Sequence, residues 1–370
     1  MSDKALNRST YLNKNVGEFS DAASILGTEY TKVDDLRYGT NPHQPAAFYK
    51  PATAATPIGD LKIVKNGKSG LSQTNLEDIS YALNIIKFFD NPACAVMKHV
   101  NPSGAATAET AFRAYEKARD CDPRAAFGST IAFNVEVTEE VAADIMSSFV
   151  ECVVAPSFSD EAIAAFNDQE RFKLNKQIRI LQCGDLNELP KYIGEGKAQH
   201  NTIKTLADGS IVVAEPLLTN LKDVSQIVPA TAENKACGKV ESTIPTTEQQ
   251  RKDLLTAWYI NISVRSNGVV LVKNGETVSV GTGEQDRVGA IEQAISKFDL
   301  KYEGEESLQD SVMASDGFFP FSDGIEVAAK AGVTAVIAPA GSLKDADVIK
   351  RANEIGVAIF HAPERIFSHH

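Results

Sequence analysis

The stretch Ala93-Cys94-Ala95-Val96-Met97-Lys98-His99-Val100-Asn101-Pro102-Ser103-Gly104 is an uninterrupted run of small apolar residues that stops at two basic side chains and then at a turn sequence. An unbroken apolar run of this length is what a strand buried on both faces requires, and Asn-Pro-Ser-Gly marks a loop. Two other segments share the design: Cys152–Val154 into Ala155-Pro156-Ser157, and Val333–Ile337 into Ala338-Pro339-Ala340-Gly341-Ser342. The likeness of the first and the last suggests a tandem repeat. Helical periodicity follows most of these turns, at Glu109–Asp120, Glu139–Phe149, Asp160–Phe166, Glu248–Ile260, Val288–Lys297, Gly324–Ala331 and Ala346–Ile355. Strands alternating with helices define an α/β class.

Asn167–Lys239 reads differently, with polar clusters and strand signals only at Gln177–Gln182 and Ser210–Ala214, and is expected to be a connecting or peripheral layer. Residues 1–30 are expected to form an N-terminal extension with a short helix near Phe19–Leu26. The remainder divides into a first unit over 31–239, which includes the connecting layer, and a second over 240–370, whose C-terminal part could pack back on the first.

Of the 370 residues, 37 are basic and 49 acidic, a net charge of −12 that opposes nonspecific nucleic-acid binding. Hydrophobic residues at 43% and charged residues at 23% are the composition of an ordinary globular protein. No apolar stretch approaches the roughly 20 residues of a membrane span, and the N-terminus is polar, so a cytoplasmic protein without membrane attachment is expected. The five cysteines are odd in number and contain no C-x-x-C pair, which indicates neither a disulfide framework nor a structural zinc site.

Several segments carry chemistry. Lys98-His99 closes a buried strand, at an edge where ligands collect in open α/β sheets, and suits general acid–base work with an electrostatic partner; an exposed strand end with two solvated side chains is the alternative. Leu36-Arg37-Tyr38-Gly39-Thr40-Asn41-Pro42-His43-Gln44 packs phosphate-binding and hydrogen-bonding side chains around a turn that core packing does not need, although a plain polar loop reads the same way. Phe318-Phe319-Pro320-Phe321, bracketed by Ser315-Asp316-Gly317 and Ser322-Asp323-Gly324, is either core or a slot for a flat heterocycle. Two generic nucleotide motifs fail: Asn66-Gly67-Lys68-Ser69 has Lys62 where a phosphate-binding loop needs its first glycine, and Gly281-Thr282-Gly283 has Asp286 where a dinucleotide fold needs its third. The second turn still leads to Arg287 at a helix start, where an anion is favoured.

Taken together these segments resemble the 5-aminoimidazole-4-carboxamide ribonucleotide (AICAR) formyltransferase family. The resemblance is carried by L-R-Y-G-x-N-P-H-Q at Leu36–Gln44, K-H-x-N-P-x-G at Lys98–Gly104, A-F-G-x-x-I-A-F at Ala126–Phe133, S-N-G-V-V at Ser266–Val270, G-x-G-x-x-x-R at Gly281–Arg287, S-D-G-F-F-P-F-x-D at Ser315–Asp323 and P-x-G-S at Pro339–Ser342. The order matches from residue 36 to 369, with a poor match over 167–239. The resemblance implies a tandem duplication of cytidine-deaminase-like units, the AICAR transformylase fold. It implies transfer of the formyl group of 10-formyltetrahydrofolate to the 5-amino group of AICAR, in purine biosynthesis.

By the same resemblance His99 is the general base, Lys98 its electrostatic partner, Asn267 the group that orients the carboxamide or formyl oxygen, and His43 a support. Arg37, Tyr38 and Arg365 would hold the phosphate, Gly128 and Glu151 the ribose, and Arg287 with Phe318 the base and carboxamide. The folate co-substrate would lie against Pro320, Phe321, Asp323 and Ser342. No metal is expected, because the H-x-E and P-C-x-x-C words of the zinc deaminases are missing. Family members are homodimers with active sites shared between subunits, and the domain usually follows an IMP cyclohydrolase domain; here the first motif begins at Leu36, so a stand-alone formyltransferase with a possible separate cyclohydrolase partner is expected. Departures from the family pattern are Ser103 for a cysteine, Ser322 for an arginine, Glu151 for an aspartate, and His370 as a residue beyond the usual terminal histidine at 369. An AICAR-binding protein without transfer, a formyltransferase with another donor, and a zinc deaminase are the competing readings.

Overall fold

The computed structural model describes residues 10–67, 69–197, 200–304 and 306–369, so His370 lies outside the described residues. They form two compact units. One takes in the described residues up to Ser103 with Thr107–Arg119 and Pro123–Glu188; the other takes in Gly104–Ala106, Asp120–Asp122 and the described residues from Leu189 onward.

The first unit begins with an antiparallel sheet of β1 (Ala22–Ile25), β2 (Thr28–Asp35) and β3 (Ala47–Pro51). The short helix expected near Phe19–Leu26 is instead β1. Its partner strand returns across Leu26 and Gly27, both left-handed at φ 51° and 81°, the two-residue turn whose twist suits a hairpin. After β4 (Lys62–Lys65) comes α1 (Gln73–Ile86), which the pattern reading missed. Ser72 and Asn75 cap it reciprocally, and Ile79, Ala82, Leu83 and Ile86 form the fully buried stripe that ties it to the sheet.

The chain continues as β5 (Ala93–Lys98), β6 (Asn101–Thr107), α2 (Ala111–Asp120), α3 (Pro123–Ala126), β7 (Ser129–Phe133), α4 (Glu139–Ser147), β8 (Val150–Ala155), α5 (Asp160–Asn167) and β9 (Arg179–Gln182). Asn101–Gly104, expected as a loop, opens strand β6, because the reversal is made one step earlier by His99 and Val100. The strand order is β5-β7-β8-β9-β4, with β7 antiparallel to β5, and β8 and β9 following in parallel.

The second unit carries two small hairpins, β10 (Thr202–Thr205) with β11 (Ile211–Ala214) and β12 (Thr231–Asn234) with β13 (Gly238–Glu241). It then runs α6 (Glu248–Asn261), β14 (Val269–Lys273), β15 (Glu276–Gly281), α7 (Arg287–Tyr302), β16 (Ser311–Ser315), α8 (Asp323–Ala331), β17 (Val333–Pro339), α9 (Asp345–Glu354) and β18 (Ala358–Ala362). The order is β15-β14-β16-β17-β18, with β16 antiparallel to β14, and β17 and β18 following in parallel.

Each unit is therefore the same α/β succession: a helix, two strands joined by a tight turn, a helical segment, then three strands alternating with helices. The duplication is real, but its register differs from the one the sequence likeness suggests. The partner of Ala93–Lys98 is Val269–Lys273, and the strand at Val333–Pro339 corresponds to Val150–Ala155. Of the cysteines, Cys94, Cys121, Cys152 and Cys183 are buried thiols. Among the described residues no helix is long and apolar enough to cross a membrane.

Candidate active site

In the first unit the candidate residues gather where β5 ends. Lys98 is the last residue of β5, and its Nζ donates to the carbonyls of Phe127 and Gly128 at 3.2 and 2.6 Å. Gly128 sits at φ 76°, and a Cβ there would come within 2.8 Å of that ammonium, so this approach needs glycine. His99 and Val100 follow in left-handed backbone at φ 53° and 64°, which leaves the His99 side chain exposed at the tip of the turn. Left-handed backbone costs about 1–3 kcal/mol for such residues, most of all for a β-branched one.

Asp78, 6% exposed on α1, accepts the Val100 N–H at 2.7 Å. Burial pushes its carboxyl up to about 6 against the opposing pull of that bond, while Glu151 adds to the rise and Lys98 opposes it. Because β5 runs antiparallel to β7, the end of β5 lies beside the N-terminal ends of the parallel strands. Ligands gather at the opposite edge in the general rule for such sheets. Gly128 and Glu151, preceding or opening β7 and β8, stand at this N-terminal end.

Arg37 is buried between α1 and the polar loop before it. Its Nη2 donates to Asn75 Oδ1 at 3.4 Å, its Cζ lies 4.7 Å from the centre of the Tyr38 ring, and its Nε has no partner among the described residues. Burial first, and then the neighbouring Arg179, draw this guanidinium below its ordinary value. Asn75 also donates to Glu151 Oε2 at 3.0 Å, so one side chain connects Arg37 with Glu151. The loop itself closes through Asn41 and Gln44, with the Gly39 N–H on the Gln44 carbonyl at 2.6 Å and both Asn41 nitrogens on Gln44 Oε1. His43 is exposed, outside those bonds. Arg37, Tyr38 and Glu151 are thus connected through Asn75, and Lys98 through its bonds to Phe127 and Gly128, with His99 exposed after Lys98.

In the second unit the candidates gather at the C-terminal ends of the parallel strands. Arg287 opens α7 and pairs with Asp316, a fully buried residue just after β16, and its Nη2 donates to Asn267 Oδ1 at 2.6 Å. Asn267 in turn donates through Nδ2 to the Glu284 carbonyl at 3.0 Å. Asp316 Oδ2 accepts the Gly268 N–H at 2.9 Å, which holds the segment before β14 to the one after β16. Arg287 Nε has no partner among the described residues.

The aromatic block splits between its two readings. Phe319, 4% exposed, belongs to the core, whereas Phe318, Pro320 and Phe321 face outward with Asp323. A Cβ on Gly341 would stand 3.7 Å from Phe318, which brings the loop carrying Ser342 to this ring. Asp345 Oδ2 shapes that loop by accepting the Gly341 and Ser342 N–H groups. Arg365 is exposed and lies over the Phe367 ring, 4.4 Å from its centre.

The pattern reading missed Asn75 and Asp78, and it named Asp316 only as a bracket to the aromatics. A signal for the first two existed: Ser72 and Asn75 are a cap pair, which would place Asp78 one turn further along the same helix. Among the described residues no three His, Cys, Asp or Glu side chains are grouped as metal ligands would be.

The family model described as "AICARFT/IMPCHase bienzyme" matches residues 3–297. The bifunctional purine biosynthesis protein PurH of Anaeromyxobacter sp. (strain K) is 36% identical over 347 residues, 94% of this chain and 61% of its own length. PurH of Bacillus cytotoxicus is 36% identical over 98% of this chain and 64% of its own, and PurH of Anoxybacillus flavithermus is 37% identical over 97% and 63%. The chain thus spans less than two thirds of the length of these curated relatives. A dCMP deaminase from the cyanophage S-TIM5 aligns with 31% of this chain and 98% of its own at 21% identity and a TM-score of 0.22, a likeness too slight to bear on the fold. With the family model matched from residue 3 through the start of the second unit's sheet, and relatives similar along nearly the whole sequence, the chain belongs to the AICARFT/IMPCHase bienzyme family.

Proposed function

We propose that the protein transfers the formyl group of 10-formyltetrahydrofolate to the 5-amino group of AICAR, giving the formylated nucleotide FAICAR and tetrahydrofolate, as a step of purine biosynthesis. The observation that carries this reading is the exposed imidazole of His99 on a clamped turn, directly after a lysine fixed to two carbonyls. The 5-amino lone pair is delocalised into the imidazole ring and carboxamide, so it attacks a formyl carbon only if its proton is removed as the bond forms. His99 is assigned that proton. The new N–C bond forms, the bond from the formyl carbon to N10 of the folate breaks, and N10 leaves with a proton. Lys98 is assigned the electrostatic support of the charge that develops on the way.

The unpartnered Arg37 Nε, with Tyr38 beside it, supports a phosphate role, shared with Arg365. Gly128 and Glu151 are assigned the ribose, and Arg287 with Phe318 the base and carboxamide. Asn267, held by Arg287 and by the Glu284 carbonyl, is assigned the orientation of the carboxamide or formyl oxygen, with His43 in support. The outward-facing Pro320, Phe321 and Asp323, with Ser342, are assigned the folate. A homodimer with shared sites and a cytoplasmic location belong to the same proposal.

Ser322 favours a second reading. Its hydroxyl donates to Glu326 at 3.2 Å, so position 322 offers no cation beside Asp323, and another formyl donor fits that arrangement. The test is to mix the protein with AICAR and 10-formyltetrahydrofolate and follow tetrahydrofolate absorbance, with His99→Ala alongside. Product that disappears in the variant supports the reading. AICAR binding without turnover points to another donor or to a binding protein.

A further inference from the structure

We propose that Asp78 is the positioning residue of His99: by accepting the Val100 N–H it holds the His99–Val100 turn in left-handed backbone and so fixes where the imidazole stands. The inference rests on the formyl-transfer reading for its activity test and on the internal duplication for its argument. The helices α1 and α6 are both 14 residues long, and Asp78 and Asp253 are each the sixth residue. Both are buried. Asp253 accepts the N–H groups of Asn274 and Gly275, both at 2.8 Å, in the turn that follows Lys273, the last residue of β14. Asp78 accepts the Val100 N–H in the turn that follows Lys98, the last residue of β5.

The two clamps are the same device applied to different sequences. Asn274-Gly275, at φ 53° and 79°, is the pair that adopts such a turn unaided. His99-Val100, at φ 53° and 64°, is not, since a valine resists left-handed backbone. The second unit could keep its turn without Asp253; the first depends on Asp78. A carboxylate acting from the neighbouring helix also leaves the imidazole untouched and exposed, which suits a residue that acts through another.

The experiment measures kcat, KM for AICAR, and hydrogen exchange of the Val100 amide in wild type, Asp78→Ala, Asp78→Asn and Asp253→Ala, with Asp78→Ala/Val100→Gly as the rescue. Asp78→Ala should lower kcat about 100-fold, the loss expected from a small misplacement of a reacting group, with KM for AICAR changed less than about threefold. Asp78→Asn keeps an acceptor in place and should recover most of the rate. Val100→Gly in the Asp78→Ala background should recover at least about tenfold, because glycine accepts the turn without a clamp. Asp253→Ala should stay near the wild-type rate. Val100 exchange should accelerate in Asp78→Ala whether or not the protein transfers formyl groups, so an inactive wild type would refute the formyl-transfer reading and leave the clamp testable by exchange. Unchanged Val100 exchange in Asp78→Ala, an unchanged kcat in an active enzyme, or failure of the glycine rescue would overturn the proposal.

Discussion

The two units share one succession of elements and even the same small devices, yet their candidate site residues stand at opposite ends of the strands. In the first, the charged and reactive groups stand where β5 ends and the parallel strands begin: Lys98, His99, Gly128 and Glu151. In the second, the equivalent end carries Lys273, whose Nζ rests on the Ser307 carbonyl, an Asn-Gly turn, and Thr334 in place of Glu151. Asn75 on α1 donates to Glu151, and Gln250 at the matching place on α6 donates to Thr334 Oγ1 at 2.9 Å. At this end the scaffold of contacts is the same in both units, while the charged candidate groups are confined to the first.

At the far end the contrast reverses. After β16 the buried Asp316 pairs with Arg287 and accepts the Gly268 N–H; after β7 the matching residue is Asn134, which accepts the Ala93 N–H at 2.7 Å and donates to the Phe89 and Asn91 carbonyls. Both side chains tie the start of one strand to the end of its neighbour, so that task belongs to the fold. The charge on Asp316 and its arginine partner have no counterpart at Asn134 and belong to the proposed site. On the proposed reading, duplication separates what the architecture needs from what the reaction needs.

The comparison can be broken most severely at the lysines. Lys98→Ala should lower kcat by about 100- to 1000-fold, the scale of removing one electrostatic stabiliser, whereas Lys273→Ala should leave it near wild type; equal losses would end the distinction between the two strand ends. Asp316→Ala leaves Arg287 buried without its counter-charge and should cost about 3–5 kcal/mol in denaturant unfolding, while Asn134→Ala, a neutral partner, should cost about 1–3 kcal/mol.

The titration of Asp78 offers a third test, of about 3 kcal/mol. Its folded-state carboxyl titrates near 6, above the usual 3.8, so between those values the folded chain holds a proton that the unfolded chain has released. Stability from this group is present at low pH and is lost as the pH rises from about 4 through about 6. The facing charges are Glu77 on α1, Lys98 on β5 and Glu151 on β8. Asp78→Asn should therefore gain on wild type by about 3 kcal/mol between pH 3 and pH 8, and a constant difference would contradict the burial assigned to Asp78. The smallest effect is expected at Gly128→Ala, where the added Cβ displaces the Lys98 ammonium and should lower kcat about tenfold without loss of secondary structure by circular dichroism.

Much of the helical layer was legible in the sequence. The seven helices expected from periodicity all exist, with ends within a few residues for most, because a buried stripe on each surface helix leaves a strong pattern. α1 was missed although its cap pair and its Ile79–Ile86 stripe were present. The strand β6 was hidden for a different reason: Asn-Pro-Ser-Gly has turn chemistry, while the actual reversal falls on His99 and Val100, residues that no turn rule selects. That same conflict between local preference and observed backbone is what marks the turn proposed to carry the general base. The roles of Asn75 and Asp78 could not be read from spacing, since each acts on a strand far along the chain.

The measurement that decides most is transfer of a carbon-13 label from the formyl group of 10-formyltetrahydrofolate to AICAR, followed by NMR in wild type and His99→Ala under conditions where both bind AICAR. The predicted result is a labelled formamide on the nucleotide with wild type and a rate at least about 100-fold lower with the variant. Labelled product forming at equal rates in both would contradict the assignment of His99, and unchanged labelled folate with wild type would contradict formyl transfer itself.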